Sequence, residues 1–174
     1  MGHDHELFVA HYEKTKDALF TYLMTRLSFD KERAEDLLMD IVLKAYQHFH
    51  RFDPEKGSFK TWIFAIAHNH LINAWRDARP TVSLDGLEEA GVQIGELMND
   101  SSAQHFSQKQ VQHILALLES RERYIITWRY LNDLSFEEME TISGVKMGTL
   151  RARLSRALQT FKTLYIKHYS NYEG

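Results

Sequence analysis

Apolar residues recur at three- and four-residue spacing through nearly the whole chain, the period of amphipathic helices. From Glu6 to Leu27, Phe8, Tyr12, Leu19, Phe20, Leu23 and Leu27 share one helical face while Lys14, Lys16 and Asp17 share the other, which predicts one helix. Asp30 is placed to cap a second helix, in which Ala34, Leu37, Leu38, Ile41, Ala45 and Phe49 repeat to about His50. Arg51 to Phe59 reads as a loop, because Pro54 keeps Asp53 out of the helical region and Gly57 permits a turn. Ser58 then caps a third helix whose apolar set is Phe59, Trp62, Ile63, Ile66, Leu71, Ala74 and Trp75.

The period fails from Asp77 to about Gln104, where Pro80, three glycines and five acids between Asp85 and Asp100 mark a linker. It resumes near Ser107 with Val111, Ile114, Leu115 and Leu118, and again with Ile125, Ile126, Trp128, Tyr130 and Leu131 before Asn132 and Asp133. Ser135 followed three residues later by Glu138 is a capping box, in which hydroxyl and carboxylate each satisfy a backbone N–H. Gly144 supplies the positive φ of a sharp inter-helix turn. Beyond Met147, Leu150, Leu154, Ala157, Leu158 and Phe161 form one stripe, and Arg151, Arg153 and Arg156 lie off it. This is a helix-turn-helix pattern, with the tail from Tyr165 expected to fray. The fold expected is all-α: two small helical domains, 1–77 and 107–174, joined by a flexible linker, 78–106.

Composition narrows the function. Only two prolines in 174 residues fit helices almost throughout, and the absence of cysteine excludes disulfides and thiolate metal sites. No window approaches 18 apolar residues, and the N-terminus lacks the basic and apolar parts of a signal peptide, so no membrane insertion and a cytoplasmic location are expected. His48 and His50, like His68 and His70, are two apart and point in different directions on a helix; no metal and no cofactor are expected.

Charge is unevenly placed. The net charge of −3 argues against a general nucleic-acid coat, yet Val145 to His168 holds six Lys/Arg and no acid. Arginine on the second helix of a helix-turn-helix suits guanine edges, with flanking basic residues on phosphates. Around the Arg51–Phe59 loop, aromatic and basic residues interleave, the arrangement that stacks single-stranded bases and draws in their backbone; the same rings also suit a core. Glu35, Asp36 and Asp40 form an acidic edge near a helix start, suited to solvation there or to docking a basic partner surface.

Together these blocks resemble the extracytoplasmic function, or group 4, RNA polymerase sigma factors of the sigma-70 family. Ala34 to Tyr46 is similar to the region that binds the polymerase clamp, Arg51 to Asn69 to the regions that melt and read the −10 element, and Leu118 to Arg123 with the helix-turn-helix to the region that reads the −35 element. The resemblance implies a non-enzymatic protein whose partners are core RNA polymerase, promoter DNA and an anti-sigma factor. It implies core contacts at Glu35, Asp36, Met39 and Asp40. It implies −10 contacts at Arg51, Lys56, Ser58, Phe59, Lys60, Trp62, His68, Asn69, Asn73 and Arg76. It implies −35 contacts at Lys146, Gly148, Thr149, Arg151, Ala152, Arg153 and Arg156. Met39 stands where glutamine is usual, Glu119 where proline is, and Ala152 where serine is frequent, departures that bear on partner affinity and promoter sequence. Three alternatives carry different expectations: a sigma-like mimic that sequesters an anti-sigma factor needs no arginine face; a stand-alone repressor needs none of the first-half blocks; and a metal hydrolase would need a histidine constellation that is not present.

Overall fold

A computed structural model of the chain describes residues 2–77 and 107–169, without the side chains of residues 2, 3, 76 and 77. The expected linker and the last five residues lie outside this range. All regular structure among the described residues is helical. The first half comprises α1 (Gly2–Glu13), α2 (Lys16–Arg26), α3 (Lys31–Gln47), a 3-10 turn (Phe49–Arg51) and α4 (Phe59–Asp77). The second comprises α5 (Gln108–Leu117), α6 (Ser120–Ile126) running on into a π-helical turn (Thr127–Leu131), α7 (Phe136–Ser143) and α8 (Met147–Tyr169).

The single helix expected over 6–27 is two. The chain turns at Thr15, whose amide bonds the Tyr12 carbonyl at 2.8 Å and whose hydroxyl donates to the His11 carbonyl at 3.0 Å. One straight helix could not serve both neighbours: Phe8 packs edge-on against Phe49 and Phe59, whereas Leu19, Tyr22 and Leu23 are buried among α3, α4 and the second half. After α2, Ser28 and Phe29 both adopt left-handed backbone (φ 56° and 67°), an arrangement that costs about 1–2 kcal/mol per residue for L-amino acids. Asp30 caps α3 as expected, its Oδ1 accepting from the Arg33 amide at 3.1 Å.

In the second half the Ser135–Glu138 capping box is formed in both directions, and Gly144 takes φ 69° at the turn into α8. The tail expected to fray is helical as far as Tyr169, whose hydroxyl is 2.6 Å from His113 Nδ1 on α5.

The two halves share one core. Trp128, fully buried in the π-helical turn, packs against Tyr22 of α2 and His68 of α4, with ring centroids 5.6 and 5.1 Å apart. Arg123 Nη1 donates to the Thr25 carbonyl at 3.0 Å and to Ser28 Oγ at 2.8 Å, and Asn132 Nδ2 donates to the Ala18 carbonyl at 2.9 Å. Helical periodicity placed Trp128 in an apolar set without showing that its cover comes from the other half of the chain, and it did not mark His68, Arg123 or Asn132 as buried.

Candidate nucleic-acid and polymerase-docking surfaces

The loop between α3 and α4 is built by local bonds. Asp53 Oδ1 accepts from the Glu55 amide at 3.0 Å, the Asp53 carbonyl accepts from the Lys56 amide at 3.1 Å, and Pro54 fits between them as the first inner residue of the turn. Ser58 Oγ then accepts from the Thr61 amide at 3.1 Å and starts α4. Beneath this loop lies a cavity of about 200 Å³. Arg51, Lys56, Ser58 and Trp62 line it, as do Phe52 and Thr61, which the sequence reading did not single out, and Thr141 of α7. Phe52 and Trp62, 5.5 Å apart, provide ring surface, and Arg51, Lys56 and Asp53 are the charged residues of the lining, with Lys56 Nζ 3.3 Å from Asp53 Oδ2.

Other residues expected at this surface lie elsewhere. Phe59 is buried, stacked on His11 at 5.1 Å and ringed by Phe8, Phe49 and Phe52, so it supports the cavity from behind. His68 is 5% exposed and faces the seam between the halves, with Nδ1 3.1 Å from the Tyr22 hydroxyl; it presents nothing to solvent. Burial, with help from the Arg26 charge, lowers its pKa to about 4, so the ring is neutral. Lys60 is half-buried and donates to the Asn132 carbonyl of the other half. Asn69 and Asn73 are exposed on α4 away from the cavity lining, and the side chain of Arg76 lies outside the described residues.

Helix α8 is seated by buried Leu150, Leu154 and Ala157. That seating leaves Lys146, Gly148, Thr149, Arg151, Ala152 and Arg156 exposed and Arg153 half-exposed on the outer side. Among the described residues no carboxylate is within ion-pair distance of these arginines. Arg151 lies over the Phe136 ring, 5.1 Å from its centroid, and Arg129 lies over the same ring at 5.6 Å. The sequence reading missed Arg129, which falls outside the basic run, six residues before the capping Ser135. Glu137 is held below the usual carboxylate range, first by the backbone hydrogen bond at the helix start, then by Ser135, with Arg151 and Arg129 adding to it.

On α3, Glu35, Asp36 and Asp40 are exposed, and Met39 is 72% exposed. Leu43 (58%) and Tyr46 (44%) continue the row at four- and three-residue steps, an apolar stripe apart from the set that periodicity assigned to packing. Single exposed apolar residues are ordinary on a protein surface; a contiguous row flanked by acids has the composition of an interface.

The seam itself is polar and positively charged. Arg26 is buried with its guanidinium 4.3 Å from the Trp75 centroid and 4.7 Å from that of Tyr124, and no carboxylate pairs with it among the described residues. Burial lowers the pKa of Arg26 and of Arg123, and the charge of Arg26 adds to the effect on Arg123. Arg123 also donates to the Leu115, Ala116 and Leu118 carbonyls at the end of α5, so one guanidinium ties the α5–α6 turn to the end of α2.

Among the described helices, an exposed arginine row on a helix-turn-helix, with an aromatic cavity whose lining includes Arg51 and Lys56, has the chemistry of a nucleic-acid-binding protein. Residues 11–81 match the family described as Sigma-70 region 2, and residues 108–161 match Sigma-70, region 4, together spanning most of the chain. Among curated relatives, the extracytoplasmic function sigma factor SigM of Bacillus subtilis is 28% identical over 88% of this chain and 92% of its own length. SigW of the same organism is 26% identical over 91% and 89%. Among solved structures, the sigma factor RpoE of Bartonella quintana, in complex with the anti-sigma factor NepR, superposes with a TM-score of 0.73 at 21% identity, covering 93% of this chain and 98% of that one. CnrH in complex with the cytosolic domain of CnrY superposes at 0.67 with 16% identity, covering 94% and 90%. The chain belongs to the sigma-70 family of RNA polymerase sigma factors, in its extracytoplasmic function group.

Proposed function

We propose that this chain is an alternative sigma factor that binds core RNA polymerase through α3, reads a −35 element with α8 and holds a flipped base of the −10 element in the cavity under the Arg51–Phe59 loop. The observation that carries this reading is the exposed arginine row on α8, free of ion pairs among the described residues, in the same chain as a ring-walled cavity whose lining includes Arg51 and Lys56. Guanidinium forks suit guanine edges, and flanking lysines suit phosphates. Phe52 and Trp62 offer stacking surface, and unstacking a base costs a few kcal/mol that such contacts recover. The chain supplies binding and position; bond formation belongs to the polymerase. It works in the cytoplasm, where the polymerase is, and among the described residues no helix is long and apolar enough to cross a membrane. Two structurally similar sigma factors are held by NepR and CnrY, which supports control of this chain by an anti-sigma factor.

The test is promoter selection by holoenzyme from a library randomised over the −35 element, comparing the wild type with Arg151→Ala, Arg153→Ala and Arg156→Ala. Loss of a base-reading arginine should cost about 1–3 kcal/mol and relax preference at one position, whereas loss of a phosphate contact should weaken all sequences alike. Unchanged preference and affinity in all three variants would leave a sequestering mimic as the better reading.

A further inference from the structure

The Phe52 ring in the cavity wall is held by other rings more than by its backbone. Its amide donates to the Phe49 carbonyl at 2.9 Å, and the chain there is extended (φ −70°, ψ 127°). Around the half-buried ring stand Phe49, stacked at 5.8 Å, Phe59, edge-on at 5.6 Å, and Trp62, tilted at 5.5 Å. These three come from the 3-10 turn and α4, which frame the loop. The fourth neighbour is His11, edge-on at 5.7 Å, and it comes from α1, which gives no lining residue among the described residues.

His11 is set in place by the break between α1 and α2. It lies in the last turn of α1, and its carbonyl accepts from the Thr15 hydroxyl at 3.0 Å. Its half-buried ring stacks on Phe59 at 5.1 Å with the planes 17° apart. Because Phe59 is itself edge-on to Phe52, His11 bears on the wall ring both directly and through Phe59. Stacked and edge-on ring pairs favour particular angles, which an aliphatic side chain filling the same space would not impose.

We propose that His11 is a positioning residue for the flipped −10 base: it fixes the tilt of Phe52, and so the stacking face that the cavity presents. This rests on the sigma reading above. His11 touches no DNA itself. Without its ring, Phe52 can turn toward the space left beside α1 and away from Trp62, and a base then stacks on it less well.

Two DNA probes are titrated with holoenzyme, both taken from a promoter that the wild-type holoenzyme selects from a randomised library. One is a single-stranded non-template −10 oligonucleotide carrying 2-aminopurine, and the other is a −35 duplex. His11→Ala should weaken the −10 strand about three- to ten-fold and relax preference at one −10 position, with −35 affinity unchanged. His11→Phe, which keeps a ring, should restore most of the −10 affinity. A side chain that only fills the core would lower both affinities together through the amount of folded protein, so equal losses at −10 and −35 overturn the proposal. Unchanged −10 binding by His11→Ala, or a loss that His11→Phe does not restore, overturns it as well. Phe52→Ala separates this inference from the reading beneath it. Full −10 binding by Phe52→Ala counts against the cavity as the base site, whereas a loss in Phe52→Ala with none in His11→Ala refutes the positioning alone. Should His11→Ala not fold, His11→Gln, which keeps a polar side chain without the ring, decides by the same two titrations.

Discussion

Acidification should loosen the seam through His68. Its ring is enclosed by Tyr22, Tyr124 and Trp128, its Nδ1 is hydrogen-bonded to the Tyr22 hydroxyl at 3.1 Å, and the charged group nearest in effect is Arg26. The folded pKa of about 4 lies below the ordinary value of 6.5, so the unfolded chain takes up the proton first. Stability from this group is therefore complete above pH 6.5 and declines as pH falls through 4. With about 1.36 kcal/mol per unit of pKa difference, the loss is roughly 1 kcal/mol at pH 6, about 2 kcal/mol at pH 5 and about 3 kcal/mol when both states are protonated. Two kcal/mol corresponds to a fall of roughly 4–8 °C in the melting midpoint for a chain of this size. Thermal melting followed by circular dichroism at pH 8 and pH 5 should show that extra fall in the wild type but not in His68→Gln, which keeps a hydrogen-bonding side chain without the titration. The other nine histidines and the carboxylates contribute equally to both proteins and cancel in the comparison. Parallel pH dependence would show that His68 is not a buried neutral group and that the seam is wetter than described.

Arg123→Lys should destabilise the chain by about 2–5 kcal/mol in urea titration, because one ammonium cannot reach the five acceptors the guanidinium serves and each buried carbonyl left unpaired costs about 1–3 kcal/mol. A loss under 1 kcal/mol would mean the α2–α5 tie carries no weight. Asp36→Arg with Asp40→Arg should abolish core polymerase binding in a pull-down at unchanged helical content, since both acids flank the exposed Met39 and reversed charge repels a basic partner. Phe136→Leu should lower −35 binding about two- to five-fold and broaden selection where Arg151 reads, by removing the ring that fixes the guanidinium, a contact worth about 0.5–1 kcal/mol at an exposed site. Unaltered selection by that variant would make Phe136 a packing residue only.

What was legible in the sequence was local. The Asp30 cap, the Ser135–Glu138 box and the Gly144 turn each depend on residues within four positions of one another, and each is formed as the spacing implied. The all-helical class followed from periodicity summed over many turns. What the sequence concealed depends on partners distant along the chain. Phe59 and His68 belong to residue types that suit a DNA surface, but one is enclosed by rings from α1 and the 3-10 turn and the other by rings from the second half. Arg26 and Arg123, to which the sequence pattern assigned no burial, are buried because aromatic faces and helix-end carbonyls replace the lost water. Met39 was named in the sequence as a partner contact through the family resemblance, whereas the exposed Leu43 and Tyr46 that extend its row were not singled out, since residue type alone does not say whether this chain or another covers an apolar side chain.

All three tryptophans of the chain stand at the places where the two halves meet or where a base would enter: Trp62 on the cavity wall, Trp75 against Arg26, and Trp128 in the centre of the seam. The protein therefore carries its own optical gauge. Trp128 is fully buried, so its indole should emit as from an apolar setting, while Trp75 lies beside a guanidinium. Loosening of the packing between the halves would hydrate the first and release the second, so the emission maximum and its accessibility to a dissolved quencher would both change in the unlabelled wild-type chain. The integrity of the seam can thus be followed in real time with no probe attached.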